Sequence, residues 1–285
     1  MTGRAAIVEM APRDGLQNEQ RPIPTADKVR LVDLLSACGF ERIETTSFVS
    51  PKWVPQLADA ARVMAGIERR PGTAYTVLTP NLRGYEAAKA AGADEVAIFA
   101  SASEGFSQRN INCSIAESLD RFRPVVEAAY EDGIPVRGYV SCVVVCPYDG
   151  PVAPAGVARV ADALLTMGCY EVSLGDTTGQ GTPETIAAML DAVLGSAPAT
   201  KLAGHYHDTN GRALKSIRVS LDRGLHTFDA SIAGLGGCPY APGAKGNVDT
   251  LAVAALLEGL GFDTGLDRAR LDEAALFART LRSPS

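Results

Sequence analysis

The chain has 285 residues, 46% of them hydrophobic and 21% charged, and its 27 Lys and Arg against 33 Asp and Glu give a formal net charge of −6. That length is enough for one large domain with a sizeable core. The acidic balance, with no run of Lys or Arg to follow a phosphate backbone, excludes broad attraction to nucleic acid or an anionic membrane and leaves a small molecule as the expected partner.

From the N-terminus, residues 1–15 (MTGRAAIVEMAPRDG) reach Arg13 and Asp14 before an apolar signal core could form. No apolar run approaches the roughly 18 residues of a membrane helix. A cytoplasmic protein is expected. The first predicted strand, AAIVEMAP (5–12), precedes a helical stretch, TADKVRLVDLLSACG (25–39), in which Leu31, Leu34 and Leu35 mark a core-facing side. Further β-rich runs follow at ERIETTSF (41–48), TAYTVLTP (73–80) and DEVAIFAS (94–101). A long amphipathic helix, SIAESLDRFRPVVEAAYEDG (114–133), leads into PVRGYVSC (135–142) and CYEVSLGD (169–176). TPETIAAMLDAVLG (182–195) is the helix before KLAGHYHD (201–208), and TFDASIAG (227–234) is the eighth strand. The helices open on Thr or Ser, which predicts N-caps, and close on Gly.

Eight strand-helix units without a Pro/Ser-rich linker predict an α/β fold, a single-domain (β/α)8 TIM barrel over residues 1–285. The competing fold is an open Rossmann-like sheet. It is disfavoured because no glycine-rich phosphate loop follows the first strand, and for the same reason no nucleotide redox cofactor is implied. The six cysteines lack the paired spacing of a disulfide framework and read as reduced thiols. Cys142 and Cys146 flank an apolar VVV and read as packing; Trp53 either lines the mouth or packs a loop.

In this fold active sites gather at the C-terminal ends of the strands. Arg13 and Asp14 close strand one, Glu44 lies in strand two, Asp176 and Thr177 close strand six, and His205 and His207 end strand seven. A glycine-rich stretch, residues 234–247, follows strand eight, carries Cys238 and Asn247, and is expected to act as a lid. Residues i and i+2 of a strand share a face, so His205 and His207 stand together with Tyr206 opposite. Two imidazoles on one barrel wall, with carboxylates on other strand ends, point to a catalytic divalent cation; the absence of thiolate pairs disfavours a structural zinc site.

PRDGLQNE, IETTSFVSPKWVPQ, NINCSI, RGYVSC, GCYEVSLGDTTG, HYHDT and AGLGGCPYAPGAKGNVDT together resemble the 3-hydroxy-3-methylglutaryl-CoA lyases, among the metal-dependent barrel lyases that also include the isopropylmalate synthases. The likeness covers nearly the whole chain. RDG and HxHDT are shared across that superfamily, whereas TTSFVSPKWVPQ and GGCPYAPGAKGN point to an acyl-CoA lyase. The resemblance implies Asp14, His205, His207 and Asn247 as ligands of Mg²⁺ or Mn²⁺, Arg13, Glu44, Asp176 and Cys238 as catalytic or supporting residues, and Arg13, Gln17 and Thr177 as substrate contacts. It also implies an acyl-CoA substrate and a homo-oligomer. The chain departs from the family at Val145, where glycine is common, and at Gln20 and Arg21, where relatives carry a lysine.

The implied chemistry is retro-Claisen cleavage. A cation acidifies the substrate hydroxyl, a permanent positive charge on Arg13 stabilises the enolate, and an acid, Cys238, protonates it. Three alternatives use the same features: a lyase for a related 3-hydroxy-3-alkylglutaryl-CoA or citramalyl-type CoA thioester, a Claisen synthase, and a non-catalytic metal- or CoA-binding barrel.

Overall fold

The structure, a computed structural model, describes residues 3–236 and 246–282. Eight parallel strands close on one another: β1 (Ala6–Glu9), β2 (Arg42–Ser47), β3 (Ala74–Leu78), β4 (Glu95–Ser101), β5 (Val136–Ser141), β6 (Glu171–Asp176), β7 (Leu202–Tyr206) and β8 (Thr227–Ala230), with β8 paired back to β1. The expected barrel is present, and the open-sheet alternative is excluded by this closure. An antiparallel ribbon, Val145–Cys146 with Gly150–Pro151, is an addition that sequence periodicity did not announce.

Helix α1 (Thr25–Ser36) follows β1, α2 (Ala60–Gly66) follows β2 and α3 (Leu82–Ala90) follows β3. Helices α4 (Glu104–Ile111) and α5 (Ile115–Glu131) link β4 to β5, and α6 (Pro154–Met167), α7 (Pro183–Leu194) and α8 (Ala213–Leu221) follow β5, β6 and β7. Helices α9 (Thr250–Gly259) and α10 (Arg268–Leu281) complete the ring. Ser114 and Thr182 cap α5 and α7 as expected, each accepting from the backbone N–H three residues on. Thr25 does not cap α1. Pro24 takes that position, and the Thr25 hydroxyl donates instead to Asp59 Oδ2 at 2.6 Å.

The apolar core lies between strands and helices, where Ile43, Val140, Leu174 and Tyr206 meet Leu31, Leu35, Val125 and Ile217. Leu34 is only partly buried against it. Cys142 and Cys146 pack with Phe106, as their apolar context predicted, and the five described cysteines are unpaired and buried. Trp53 is 76% exposed in the turn beyond β2.

Inside the barrel, side chains of one parity point inward. Val8, Met10, Leu78, Ala97 and Tyr139 form an apolar half. The other half is charged: Arg137 on β5, Glu171 and Ser173 on β6 and Asp229 on β8 are fully buried and bonded to one another. Among the described residues no helix is long and apolar enough to cross a membrane.

Candidate metal and active site

A π-helical turn, Ala11–Gly15, follows β1 and sets Arg13 and Asp14 over the barrel mouth. Gly15 is required there, since a Cβ would meet Leu235 Cβ and Ser231 Oγ, each at 2.9 Å. Asp14, His205 and His207 each offer a ligand atom, all within 4.8 Å of one another, and the two imidazole centroids are 5.4 Å apart. The expectation from strand alternation is met, with His205 inside the barrel and Tyr206 outside, its hydroxyl paired with Ser220 of α8. Asn247 joins them: its Nδ2 donates to Asp14 Oδ2 at 2.7 Å and its backbone bridges to His207. Its Oδ1 is the oxygen it has for a cation.

Burial alone would raise the Asp14 carboxyl, but the Arg13 guanidinium, helped by His205 and by the hydrogen bond from Asn247, holds it down at about 2. Burial and the neighbouring His205 pull His207 down to about 4, so it is a neutral imidazole at physiological pH. Its Nδ1 is buried with no hydrogen-bond partner among the described residues. Two imidazoles, one anionic carboxylate and one amide, with an orphaned buried nitrogen, form a donor set suited to a divalent cation.

Arg13 Nη1 lies 2.5 Å from Asp14 Oδ1 and its Nε 2.6 Å from Glu44 Oε2. Burial disfavours the charged guanidinium, and Glu44 and Asp14 more than restore it. Glu44 is wholly buried; burial raises its pKa, and its other oxygen accepts from the Tyr139 hydroxyl at 3.1 Å. Both Glu44 oxygens are thus engaged, and the carboxylate orients Arg13.

Not every expected residue joins this group. Asp176 pairs in register with the outward Tyr206, and its Oδ2 accepts from the Gly181 N–H at 2.8 Å, ordering the turn that leads to α7. Thr177 Oγ1 accepts from Cys142 N at 2.9 Å. Gln17 lines a groove of about 930 Å³ with Trp53 and Gln56, formed by the segments after β1 and β2, and none of the clustered residues lines it. Cys238 and most of the expected lid lie outside the described residues.

Three participants escaped sequence reasoning. Asp229 Oδ2 lies 3.1 Å from His205 Nδ1, and Arg137 holds both Asp229 and the Tyr139 hydroxyl. A signal existed: Arg137 and Tyr139, two apart in a strand, share a face, and Asp229 is a charge inside a buried strand.

The HMGL-like family matches residues 4–277. A protein of Pseudomonas aeruginosa, 3-hydroxy-3-isohexenylglutaryl-CoA/hydroxy-methylglutaryl-CoA lyase, is 58% identical over 271 residues, covering 95% of this chain and 90% of its own length. The crystal structure of an HMG-CoA lyase from Brucella melitensis aligns with a TM-score of 0.98 at 66% identity, covering 99% of both chains. An HMG-CoA lyase from A. baumannii, solved with coenzyme A and 3-methylmalate, aligns at 34% identity with a TM-score of 0.93, over 100% of this chain and 95% of its own.

Proposed function

This chain belongs to the HMGL-like family, and on that premise we propose that it is a carbon-carbon lyase that cleaves (S)-3-hydroxy-3-methylglutaryl-CoA into acetyl-CoA and acetoacetate. The observation that carries the reading is the pairing of a cation-competent donor set, Asp14, His205 and His207, with the buried guanidinium of Arg13 beside it at the barrel mouth. The relatives named as lyases favour cleavage over the Claisen-synthase alternative.

Mg²⁺ or Mn²⁺ held by Asp14, His205, His207 and Asn247 would supply Lewis acidity that makes the tertiary hydroxyl of the substrate easier to deprotonate. The hydroxyl proton passes to a carboxylate at the mouth, a role proposed for Asp176 or Glu44, from which it can replace the proton later given by the acid, and the bond between C2 and C3 breaks. C3 becomes the ketone of acetoacetate, and the electron pair stays on the acetyl unit as a thioester enolate. Arg13 has Nε and Nη1 committed to Glu44 and Asp14, which leaves Nη2 to face the enolate oxygen. Glu44 fixes the plane of that guanidinium. Asp176 supports the turn carrying Thr177, which with Gln17 is proposed to contact substrate. Cys238 is proposed as the acid that protonates the enolate carbon, giving acetyl-CoA. A cytoplasmic setting and assembly into homo-oligomers belong to the same proposal.

Product analysis on a panel of 3-hydroxyacyl-CoA thioesters, with EDTA and then added Mn²⁺ or Mg²⁺, tests it. Acetyl-CoA and acetoacetate should form from the methylglutaryl substrate, disappear with EDTA and return with metal. Turnover indifferent to EDTA, or binding of thioesters without cleavage, overturns the reading.

A further inference from the structure

Seven side chains from four strands and the turn after β1 form a closed circuit in the barrel. Arg137 Nη2 lies 2.8 Å from Asp229 Oδ1, and Asp229 Oδ2 lies 3.1 Å from His205 Nδ1. His205 Nε2 faces Asp14 Oδ2 across 4.0 Å, and Asp14 Oδ1 meets Arg13 Nη1 at 2.5 Å. Arg13 Nε meets Glu44 Oε2 at 2.6 Å, Glu44 Oε1 accepts from Tyr139 at 3.1 Å, and the Tyr139 oxygen accepts from Arg137 Nη1 at 3.0 Å. Every link is a hydrogen bond except the one between His205 and Asp14, which is where the proposed cation would sit.

From this circuit we infer that Arg137, buried inside the barrel and bonded to Glu171, Tyr139 and Asp229 rather than to the proposed metal ligands, is a positioning residue that fixes the proton placement of both halves of the active site. The guanidinium has no hydrogen-bond acceptor, so each contact it makes dictates the role of its partner. Because Arg137 donates to the Tyr139 oxygen, the single Tyr139 proton goes to Glu44, and Glu44 is left to accept from Arg13. Because Arg137 and Ser173 both donate to Asp229, that group is held as a carboxylate. His205 Nδ1 must then carry a proton, which leaves Nε2, turned toward Asp14, as the nitrogen available to the proposed cation. Glu171, bonded to Arg137 Nε at 2.8 Å and to Arg42 at 2.9 Å, anchors the guanidinium from below. Three nitrogens serve three partners at fixed angles, a geometry that a lysine cannot reproduce.

The inference rests on the proposed metal-dependent reaction, and Arg137→Lys tests it with measurements other than activity alone. Mn²⁺ titration of the metal-free protein, steady-state kinetics and thermal unfolding are compared with the parent. Arg137→Lys should bind Mn²⁺ about 10- to 100-fold more weakly and lose kcat, with KM changing less than kcat. A folded Arg137→Lys with Mn²⁺ affinity and kcat of the parent, lower only in Tm, would reduce Arg137 to a structural brace and overturn the inference. A parent protein that takes up no Mn²⁺ overturns the inference and the proposed function together. Tyr139→Phe cuts the circuit on the Glu44 side alone and decides the matter if Arg137→Lys does not fold. It should lower kcat while keeping Mn²⁺ affinity, and an unchanged kcat would count against Arg137 acting through that branch.

Discussion

Asp229 and His205 are register partners on adjacent strands, and the carboxylate Oδ2 sits 3.1 Å from the imidazole Nδ1. Burial resists charge on His205, and the hydrogen bond and charge of Asp229 reverse that, so its pKa is raised. Asp229 itself is held low despite burial, chiefly by Arg137. The pair is the carboxylate-histidine arrangement that orients metal-binding imidazoles. Asp229→Asn should weaken Mn²⁺ binding about 10- to 100-fold. It should also cost about 3 kcal/mol or more of stability, because Arg137 stays buried with one counterion fewer. Metal titration and chemical denaturation check both; unchanged Mn²⁺ affinity would show that the ring is oriented by packing.

Arg13→Lys preserves a positive charge and loses the planar fork that binds Asp14 and Glu44 simultaneously. The barrier should rise by about 3 kcal/mol or more, at least ~100-fold in kcat, with metal affinity nearly unchanged. Steady-state kinetics at saturating metal measure it. Near-normal turnover would reassign Arg13 to a structural ion pair.

Gly236 has φ +99°, and a Cβ there would lie 2.6 Å from Asn247 Nδ2 and 3.2 Å from Gly15 Cα. Gly236→Ala should therefore cost about 1–3 kcal/mol in backbone strain and push Asn247 from Asp14. A lowered Tm together with weaker Mn²⁺ binding is the expected pair of results. A lowered Tm with intact binding would remove Asn247 from the ligand set.

Glu9 gives the pH dependence. It is fully buried and accepts from Ala11 N, Ile232 N and Thr250 Oγ1, tying the Arg13 turn to both described flanks of the glycine-rich stretch. Burial raises its pKa from 4.5 to about 7 against those hydrogen bonds. Between these values the folded state binds more protons at this site than the unfolded state, so its contribution to stability falls as pH rises through the window. Above pH 7 the deficit levels off at about 3 kcal/mol. Glu9→Gln keeps an acceptor for the two N–H groups and lets the Thr250 hydroxyl turn to accept. Tm scans at pH 5 and pH 8 should show Glu9→Gln gaining on the parent as pH rises; a pH-independent difference would mean that Glu9 stays ionised when buried.

Much of this protein was legible in its sequence because the relevant signals are local. Period-two strands at even spacing, Ser114 and Thr182 as caps, and a His-x-His pair at a strand end each depend on a few neighbouring residues. They specified the barrel, its active end and the common face of His205 and His207. Which strand ends meet was a different matter. Asp229 touches His205 because β8 and β7 pair in one particular register, and Arg137 reaches both arms of the site because the stagger of a closed barrel puts its layer beneath theirs. Asp176, at a strand end like the proposed ligands, falls on the opposite parity and orders a turn. Chain order contains the parity of each strand but not the register between strands. Closure of the barrel sets that register, and with it which buried charges complete one another.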